Sequence, residues 1–588
     1  MECVESGFYG YAISEDDIIT SENFIDSVEL PGVGAYLAIQ DNGSFIRIIQ
    51  DFNGSYGLYY YEDKDYFAVS NSFMMLVEHL SKNHELTLNQ QYCQSFLFVE
   101  LYSFIYEETL VNEIRTIPRD CEILISREEK SIDFIDIDYH EQSVDLNSKK
   151  ALDILDRWFF KWIGIIRMLK SKTNNLTIDL TGGFDTRVIA ALWLNANLDT
   201  DKINIRSKLL DVVREDYEIA SQIANKFNFQ LNKDVISMNI HEFEDILTSI
   251  NLSFYVKLGF HNEMYYEFYR SDEKYYTISG DGGELIRGYP NKKPEEYLKF
   301  IKPVCKDTFF DFYEVSKDSF YRSLEKISGK YGIDMDCREI TAKLYIEAIN
   351  RNHFGKSCVE SYFANRIKVT PLIDPDLSRL KLKDDKCDDE HLLMAVIYSR
   401  YCPELLNFKL ESGRKIDDAT IAHANDINKI SPFEMIQLDY VSGPELKTQR
   451  NYDNLPDYDT NDEPRQYLID VFHSRKFELE FKKYFPRQCY DLISKSIKTR
   501  HFNNVAHVYS AIAILKVIKE VEYSQNRNRI ADKWIESFLD TSYINESYLD
   551  EEVRLNRKIE NLKRENERLL NSKSWKVTEP LRKIKRFL

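Results

Sequence analysis

Two short stretches of the sequence carry the residue types that bind phosphate. The first, IDLTGGFDTR at 178–187, places two glycines between a predicted buried strand and a predicted helix. Glycines let the backbone approach a phosphate closely, and the N–H groups at a helix start favour its negative charge. Thr181 and Thr186 add hydroxyl donors, and Asp185 is suited to hold Mg²⁺. The stretch predicts a phosphate-binding corner, although an ordinary strand–turn–helix corner has the same pattern.

The second stretch, ISGDGGELIRGY at 278–289, lies about one hundred residues later and also follows a short apolar segment. It places Asp281 and Glu284 on a glycine-rich loop. A second carboxylate there could complete a metal site with Asp185. The alternative is a surface turn with incidental acids.

Alternating strands and helices should position the first stretch. From residue 151 helices are predicted over 151–170, 187–194 and 215–227, and strands over 176–180 and 203–207. Strands and helices that alternate at this spacing indicate a parallel sheet with crossover helices. The regions 300–370 and 390–540 are predicted to be mainly helical, with a loop near 451–465.

The region before residue 141 has a different pattern. Around Asp41-Asn42-Gly43, VGAYLAIQ and SFIRIIQ predict an antiparallel hairpin, because Asn-Gly suits a tight turn. GLYYYED and YFAVS predict a second hairpin. Residues 87–106 predict a helix, and CEILISR and SIDFIDIDYH predict two further strands. A boundary is predicted near 141–149.

Composition narrows the class of protein. A chain of 588 residues predicts two to four domains, and a net charge of −20 argues against a nucleic-acid-binding body. The nine cysteines have no CxxC spacing, which predicts free thiols in a reducing compartment and no zinc site. The sequence also lacks a signal-peptide pattern and an apolar run of roughly 18 residues. These features predict a cytoplasmic protein.

The motifs, taken in order, resemble those of the asparagine synthetase family. The first stretch is similar to that family's SGGxDS pyrophosphate loop in the form TGGxDTR, and the second to its SGEGSDE segment. The helix with Glu215, Ala220 and Ala224 looks like the one after the family's second strand. VTPLIDP at 369–375 resembles the "PFLD" segment, and CPEL at 402–405 the later "LP" turn.

The resemblance covers roughly 33–415, because 33–125 also look like the family's glutaminase-type domain. It implies an α/β fold in which an Ntn-type αββα domain precedes a PP-loop, parallel-sheet ATP-pyrophosphatase domain. A helical C-terminal region and a short coiled coil follow. The domain boundaries expected on this basis are 1–148, 149–450, 451–544 and 545–588.

The resemblance also implies a site for ATP and Mg²⁺. Asp185 and Glu284 would hold the metal, and Asp281 would stand where the family has a Glu. The late catalytic lysine of the family has two candidates, Lys409 and Lys415, between which the sequence does not choose. The nucleotide would contact Leu180, Thr181, Gly182, Gly183, Asp185, Thr186, Arg187, Ile205, Arg206, Gly280, Asp281, Gly282 and Gly283.

In this family a carboxylate attacks the α-phosphate to give an acyl-adenylate and pyrophosphate, and an amine then displaces AMP. The chain departs from the pattern at two further points. Glu284 stands where the family has two acids in a row. Members that hydrolyse glutamine use a terminal Cys whose own amine is the base, whereas this chain begins Met1-Glu2-Cys3. The first domain is therefore predicted to lack glutaminase activity, with the amine free or on a substrate.

The C-terminal segment has two patterns of its own. Tyr548, Leu555, Leu562 and Leu569 recur every seven residues, which predicts self-association through a coiled coil over 548–570 or, alternatively, a solvated helix. The basic segment 572–588 contains interleaved apolar residues. This pattern predicts peripheral binding to the anionic inner face of a membrane or, alternatively, an ordinary solvated tail. SWKVT and PLR also resemble a short signature of surface-polysaccharide enzymes.

Three functional hypotheses follow. The first is an ATP-dependent amide ligase that joins a small-molecule or glycan-linked carboxylate to an amine in surface-polysaccharide synthesis. The second is an inactive scaffold that keeps the asparagine synthetase-like fold. The third is a peptide or lactam cyclase. None of the three requires nucleic acid.

Overall fold

The structure is a computed structural model that describes residues 6–25, 29–98, 106–137, 144–207, 214–233, 254–256, 274–287, 292–301, 310–363, 365–381, 391–445, 462–497 and 504–526. These residues form a mixed α/β fold with antiparallel and parallel sheets. The chain divides into two compact units, 1–461 with 509–530, and 462–508 with 531–588. The predicted coiled coil, the basic tail and Cys3 lie outside the described residues. The four predicted domain boundaries stay a prediction.

The strands among the described residues belong to the first unit. They are β1 Gly7–Ile13, β2 Ile18–Ile19, β3 Gly34–Asp41, β4 Phe45–Gln50, β5 Tyr59–Glu62, β6 Phe67–Ser70, β7 Ile114–Thr116, β8 Cys121–Ser126, β9 Ser131–Asp136, β10 Val144–Asp145, β11 Leu176–Asp179, β12 Asn204–Ser207, β13 Asn232–Lys233, β14 Tyr275–Ile278, β15 Arg366–Val369 and β16 Leu380–Lys381.

The α-helices are found in both units. They are α1 Phe73–Leu80, α2 Gln90–Phe98, α3 Lys149–Lys172, α4 Phe184–Leu194, α5 Arg214–Phe227, α6 Gly283–Arg287, α7 Pro294–Ile301, α8 Phe310–Tyr331, α9 Glu339–Leu344, α10 Lys356–Phe363, α11 Pro375–Ser378, α12 Leu392–Tyr401, α13 Asp418–Lys429, α14 Asp462–His473, α15 Arg475–Tyr484, α16 Arg487–Ile497 and α17 Asn504–Gln525. A π-helix, Tyr345–Gly355, joins α9 to α10, and short 3₁₀ turns lie at Thr200–Lys202, Pro403–Asn407 and Glu411–Gly413.

The antiparallel region confirms both predicted hairpins. β3 pairs with β4, and β5 with β6, while β8 pairs with β9. Gly43 takes φ +89°, a backbone conformation that glycine adopts without strain, so the turn residue fits its position. β1 was not predicted, and it pairs with β3 in the six-stranded sheet β2-β1-β3-β4-β8-β9. The predicted helix over 87–106 is described over Gln90–Phe98 as α2, and 99–105 lie outside the described residues.

The predicted parallel sheet is present in the order β13-β12-β11-β14-β15. β11 lies at its centre and pairs in parallel with β12 on one side and β14 on the other. β15 was not predicted, and it extends the sheet by pairing with β14. Helix α4 begins at Phe184, three residues before the predicted start at Arg187, so the helix start lies directly after the two glycines.

The long helix α3 contributes to the core that both sheet regions of the first unit share. Ser148 caps its start by accepting a hydrogen bond from the Ala151 amide, and the helix ends at Lys172 before two asparagines. Trp158 and Trp162, one turn apart, are fully buried. One cluster of buried side chains takes in α3, the antiparallel sheet and the parallel sheet. The burial of this apolar helix face joins the two sheet regions into one core.

A buried polar cluster lies where the π-helix meets the antiparallel region. Arg119 donates to Glu347 at 2.9 Å, and both side chains are almost completely buried. Lys330 adds a second cation at 3.1 Å from Glu347. Burial alone would raise the pKa of Glu347, but Arg119 and Lys330 outweigh it and hold that pKa below its usual value. Glu347 is therefore a charged, paired group in the protein interior.

The second unit contributes the helices α14, α15 and α16. Ser474 caps α15, and Phe472, Phe477 and Phe481 pack with Tyr490 in an aromatic cluster. No described helix, in either unit, is long and apolar enough to cross a membrane. The six cysteines among the described residues are free thiols: Cys93, Cys121, Cys337, Cys358, Cys402 and Cys489.

Candidate functional site

The two glycine-bearing loops lie side by side because their strands are neighbours. β11 and β14 run in parallel, with Ile178 opposite Ile278, so the loops leave the same edge of the sheet. A β-carbon on Gly280 would lie 2.6 Å from the Thr186 amide nitrogen, and one on Gly283 would overlap the Asp185 carboxyl. Only residues without side chains allow this approach. The two sequence motifs thus form one site.

The first loop is held in shape by its own side chains. The Thr181 amide donates to the Thr186 hydroxyl at 3.0 Å, and the Gly183 amide donates to the Thr181 hydroxyl at 3.1 Å. The Gly182 amide donates to Asp216 at 2.9 Å. The sequence predicts that Thr181, Gly182, Gly183 and Thr186 hold a pyrophosphate, which stays a prediction. In the structure their hydroxyls and amides bond within the loop and to Asp216, and so hold the loop in shape.

The start of α4 offers a different set of amides. Gly183 occupies the position before the first helical residue, and no side chain caps this end of the helix. The first amides of a helix have no partner within the helix, and its dipole favours negative charge there. Phe184, Asp185 and Thr186 supply these amides beside the second loop. This arrangement can bind an anion such as a phosphate group.

Asp185 lies between the two loops with a quarter of its side chain exposed. Its Oδ1 atom is buried without a hydrogen-bond partner. Burial raises the pKa of Asp185 to about 7, helped by the nearby carboxylates of Glu284 and Glu411 and opposed by Arg287 and Arg414. A buried oxygen without a partner is costly, and a bound cation or donor would satisfy it.

Arg287 lies between the two predicted metal ligands. Its Nη2 atom is 3.1 Å from Asp185 Oδ2 and 3.4 Å from Glu284 Oε1. Glu284 and Arg287 are three residues apart on the short helix α6, so their side chains lie on the same face. Asp185 and Glu284 are thereby brought to one guanidinium group.

Asp281 faces a different cation. Its carboxylate is 2.9 Å from the Lys368 ammonium group on β15, which also donates to the Ser357 hydroxyl at 2.8 Å. Burial would lower the pKa of Lys368, but Asp281 and Cys358 outweigh it and the pKa is raised. Asp281 is therefore tied to the neighbouring strand, whereas Glu284 faces Asp185.

The segment 405–416 packs against the first loop. Arg187 is buried and donates to the carbonyls of Phe408 at 3.0 Å and Lys409 at 2.7 Å, and to that of Gly182 at 3.1 Å. The predicted nucleotide contact Arg187 thus joins the loop to this segment from inside the protein. The Glu411 amide donates to the same Gly182 carbonyl at 3.3 Å.

The two candidate lysines lie on that segment with exposed side chains. Lys409 and Lys415 flank Arg414, whose guanidinium lies 5.2 Å from the centre of the Phe184 ring and acts electrostatically on Asp185. Arg414 also forms an ion pair with Glu411. Arg414 is therefore a cation of this segment that acts on Asp185, while the choice between Lys409 and Lys415 stays a prediction.

Comparisons with known proteins add no assignment. The chain matches no family model, and no curated protein was found to match it. The geometry of the site and the motifs of the sequence therefore carry the functional argument.

Four further predicted contacts have mainly structural positions. Leu180 and Ile205 are completely buried. Arg206 on β12 forms an ion pair with Asp179 at 2.6 Å, and its carbonyl accepts the Leu180 amide at 2.9 Å. Gly282 has φ +88° and packs against Ile373, so it shapes the second loop.

Sequence reasoning missed the charged groups Asp216, Arg287, Glu411 and Arg414. A partial signal exists for Arg287, because it follows Glu284 by three residues in the same motif. Asp216 lies in the helix already assigned to the family pattern. Glu411 and Arg414 reach the loop only through the fold, and no local pattern marks them.

The described residues contain no group of three or more His, Cys, Asp or Glu side chains that could hold a metal by themselves. Mg²⁺ is usually bound by one or two carboxylates, with phosphate oxygens and waters filling the other positions. Asp185 and Glu284, with the partnerless Asp185 Oδ1, fit that donor set. The residues present thus suit a metal that arrives with a nucleotide.

Proposed function

We propose that this chain is an ATP-dependent ligase that activates a carboxylate as an acyl-adenylate. The proposal rests on one observation. Two glycine loops meet at the edge of a parallel sheet, and Asp185 and Glu284 both form ion pairs with the Arg287 guanidinium there. Ligands of open parallel sheets bind at this edge. The motif order of the asparagine synthetase family supports the same assignment.

In this proposal the region from 149 is a PP-loop ATP-pyrophosphatase domain. The amides at the start of α4 bind the β- and γ-phosphates of ATP. Asp185 and Glu284 hold Mg²⁺, which neutralises phosphate charge when bound. Arg414 adds positive charge beside Phe184. The protein's part in the reaction is then to position the reactants and to stabilise charge.

The proposed chemistry has two steps. An oxygen of the substrate carboxylate bonds to the α-phosphorus, and the bond from that phosphorus to the bridging oxygen breaks, releasing pyrophosphate. The nitrogen of an amine then bonds to the acyl carbon, AMP leaves, and the nitrogen loses a proton. The products are an amide, AMP and pyrophosphate. We propose a small-molecule or glycan-linked carboxylate as the substrate.

The antiparallel region is, in this proposal, a glutaminase-like domain of Ntn type that does not hydrolyse glutamine. Its described strands β1, β3, β4 and β8 form one sheet whose side chains join the core of the parallel sheet. A domain without its own chemistry can still stabilise its neighbour through such a core. The amine substrate then comes free or attached to another molecule.

An inactive scaffold is the second candidate, and one observation favours it. The amides of Thr181, Gly182 and Gly183 are all bonded to side chains of the chain itself. A loop satisfied in this way keeps its shape without a ligand. A scaffold would not bind Mg-ATP, whereas the ligase must.

Product analysis tests the proposal. The chain is incubated with Mg-ATP, a panel of uronic and amino acids, and ammonia or amines. We expect AMP and pyrophosphate as nucleotide products, and their loss in Asp185→Ala. Release of ADP would contradict the proposed chemistry.

A further inference from the structure

The guanidinium of Arg287 occupies the space between the two carboxylates that would hold a metal. It lies 3.1 Å from Asp185 and 3.4 Å from Glu284, and its Nε atom is 3.4 Å from the Gly283 carbonyl. Only 18% of the Arg287 side chain is exposed. The contact is therefore a partly buried arrangement of one cation and two anions, not a solvated surface pair.

The charge of this group is unsuited to a free divalent ion. The two acidic groups and one guanidinium leave at most a single net negative charge, and the guanidinium repels a second cation at the same place. Mg²⁺ also requires close to six oxygen ligands at about 2.1 Å. The described residues supply two carboxylates but no third acidic, histidine or cysteine ligand.

We propose that Arg287 acts as a resident counter-ion that excludes divalent cations until a nucleotide brings its phosphates. The inference rests on the proposed function, because it identifies how that same site would acquire its metal. Phosphate oxygens would complete the metal's ligands and give the displaced guanidinium an anionic partner. Metal and nucleotide would then bind together as one complex.

Asp185 provides independent geometric support. Its Oδ2 atom contacts Arg287, whereas its Oδ1 atom is buried and has no hydrogen-bond partner. The guanidinium thus satisfies only half of this carboxylate. In a carboxylate with a purely structural role, we would expect every buried oxygen to accept a hydrogen bond. The open oxygen keeps a position for a further ligand.

The role of Arg287 can be measured with Mn²⁺ alone, by electron paramagnetic resonance of the free ion during titration of the full chain. Arg287→Met and Arg287→Gln both remove the charge. We expect each variant to bind Mn²⁺ at least about tenfold more tightly than the wild type, a change of about 1.4 kcal/mol. Two variants are used so that either one that keeps the wild-type circular dichroism spectrum gives the answer.

Arg127→Met is the matched control. Arg127 forms an ion pair with Asp41 at 2.5 Å, with both side chains partly buried, and neither residue belongs to the candidate site. We expect no gain in Mn²⁺ affinity there. Equal Mn²⁺ affinity in the wild type and both Arg287 variants would overturn the inference, as would tight Mn²⁺ binding by the wild type without nucleotide.

A separate titration with Mg-ATP distinguishes this inference from the proposed function. Failure of the wild type to bind Mg-ATP contradicts the ligase and, with it, the joint entry of metal and nucleotide. If Mg-ATP binds but Mn²⁺ affinity does not depend on Arg287, only the counter-ion role is wrong.

Discussion

Gly283 faces the carboxyl group of Asp185 so closely that a β-carbon at position 283 would overlap it. The two residues come from loops that are about one hundred positions apart in the sequence. Their contact exists because β11 and β14 are neighbouring parallel strands. Close backbone approach at this point is what brings Glu284 and Arg287, on the same short helix, to Asp185.

The first prediction concerns that approach. Gly283→Ala should displace Asp185 or the second loop, with a loss of stability of about 1–3 kcal/mol and loss of Mg-ATP binding. Gly329→Ala is the control, because Gly329 lies in helix α8 with open space around it. There alanine should stabilise the helix by up to about 1 kcal/mol. Thermal unfolding and calorimetry measure both effects, and a Gly283→Ala chain with normal ATP affinity would contradict the close packing.

A second prediction concerns the pH dependence of Asp216. Burial, and then its hydrogen bond with Glu411, raises the pKa of Asp216 from 3.8 to about 6. Between these values the folded chain keeps a proton that the unfolded chain has lost, so this group's contribution to stability falls as pH rises. Asp216→Asn retains an oxygen acceptor for the Gly182 amide but cannot ionise. Its melting temperature relative to the wild type should increase from pH 4 to 6 and then stay level.

Asp41 gives the opposite trend and serves as the control for that measurement. Its hydrogen bond with Arg127 lowers the pKa of Asp41 to about 2. The contribution of Asp41 to the stability of the fold is present above pH 3.8 and is lost as pH falls toward 2. The melting temperature of Asp41→Asn should therefore rise relative to that of the wild type only at acidic pH. The same trend in both variants would show that Asp216 does not titrate as proposed.

The third prediction concerns the buried pair Arg119–Glu347. Arg119→Met leaves Glu347 buried with fewer partners, and the loss of one member of such a pair costs about 3–5 kcal/mol. Lys172→Met is the comparison, because Lys172 and Asp17 form an exposed pair in which each side chain is at least half exposed. Exposed pairs contribute up to about 1 kcal/mol. Equal shifts in melting temperature would show that burial does not govern the Arg119 contact.

The sequence predicted most of the elements whose pattern is local. The hairpins of the antiparallel region, the helix α3 and the strand–glycine–helix corner after β11 each have a repeating or turn-forming pattern within a short window. β1 and β15 were missed. GFYGYAI contains two glycines, and RIKV alternates charged with apolar residues on a very short strand. β1 pairs with β3 and with the two-residue strand β2, which is too short to give a strand pattern, and β15 pairs with β14 about ninety residues earlier, which no local window contains.

The candidate site was predicted to a similar extent. The glycines and acids of the two loops stood out because each loop has its glycines and an acid within a few residues after a predicted strand, and because the two loops occur in the order of the family's motifs. The roles of Asp216 and Arg414 depend on α5 and the 405–416 segment packing against the loop. Arg187 was expected at the nucleotide, but it is buried and bonded to carbonyls. Sequence spacing gives the residue types near a site, while packing decides which way each points.

A double-mutant cycle tests the central claim, that Asp185 and Glu284 act on the same bound Mg-nucleotide. Calorimetry would give the Mg-ATP affinity of the wild type, Asp185→Asn, Glu284→Gln and the double variant. Each single change should weaken binding by at least about tenfold. The double variant should lose less binding free energy than the two single variants lose together, and the difference, the coupling energy, should be about 0.5–3 kcal/mol. Additive losses, or a wild-type chain that binds no Mg-ATP, would contradict the claim.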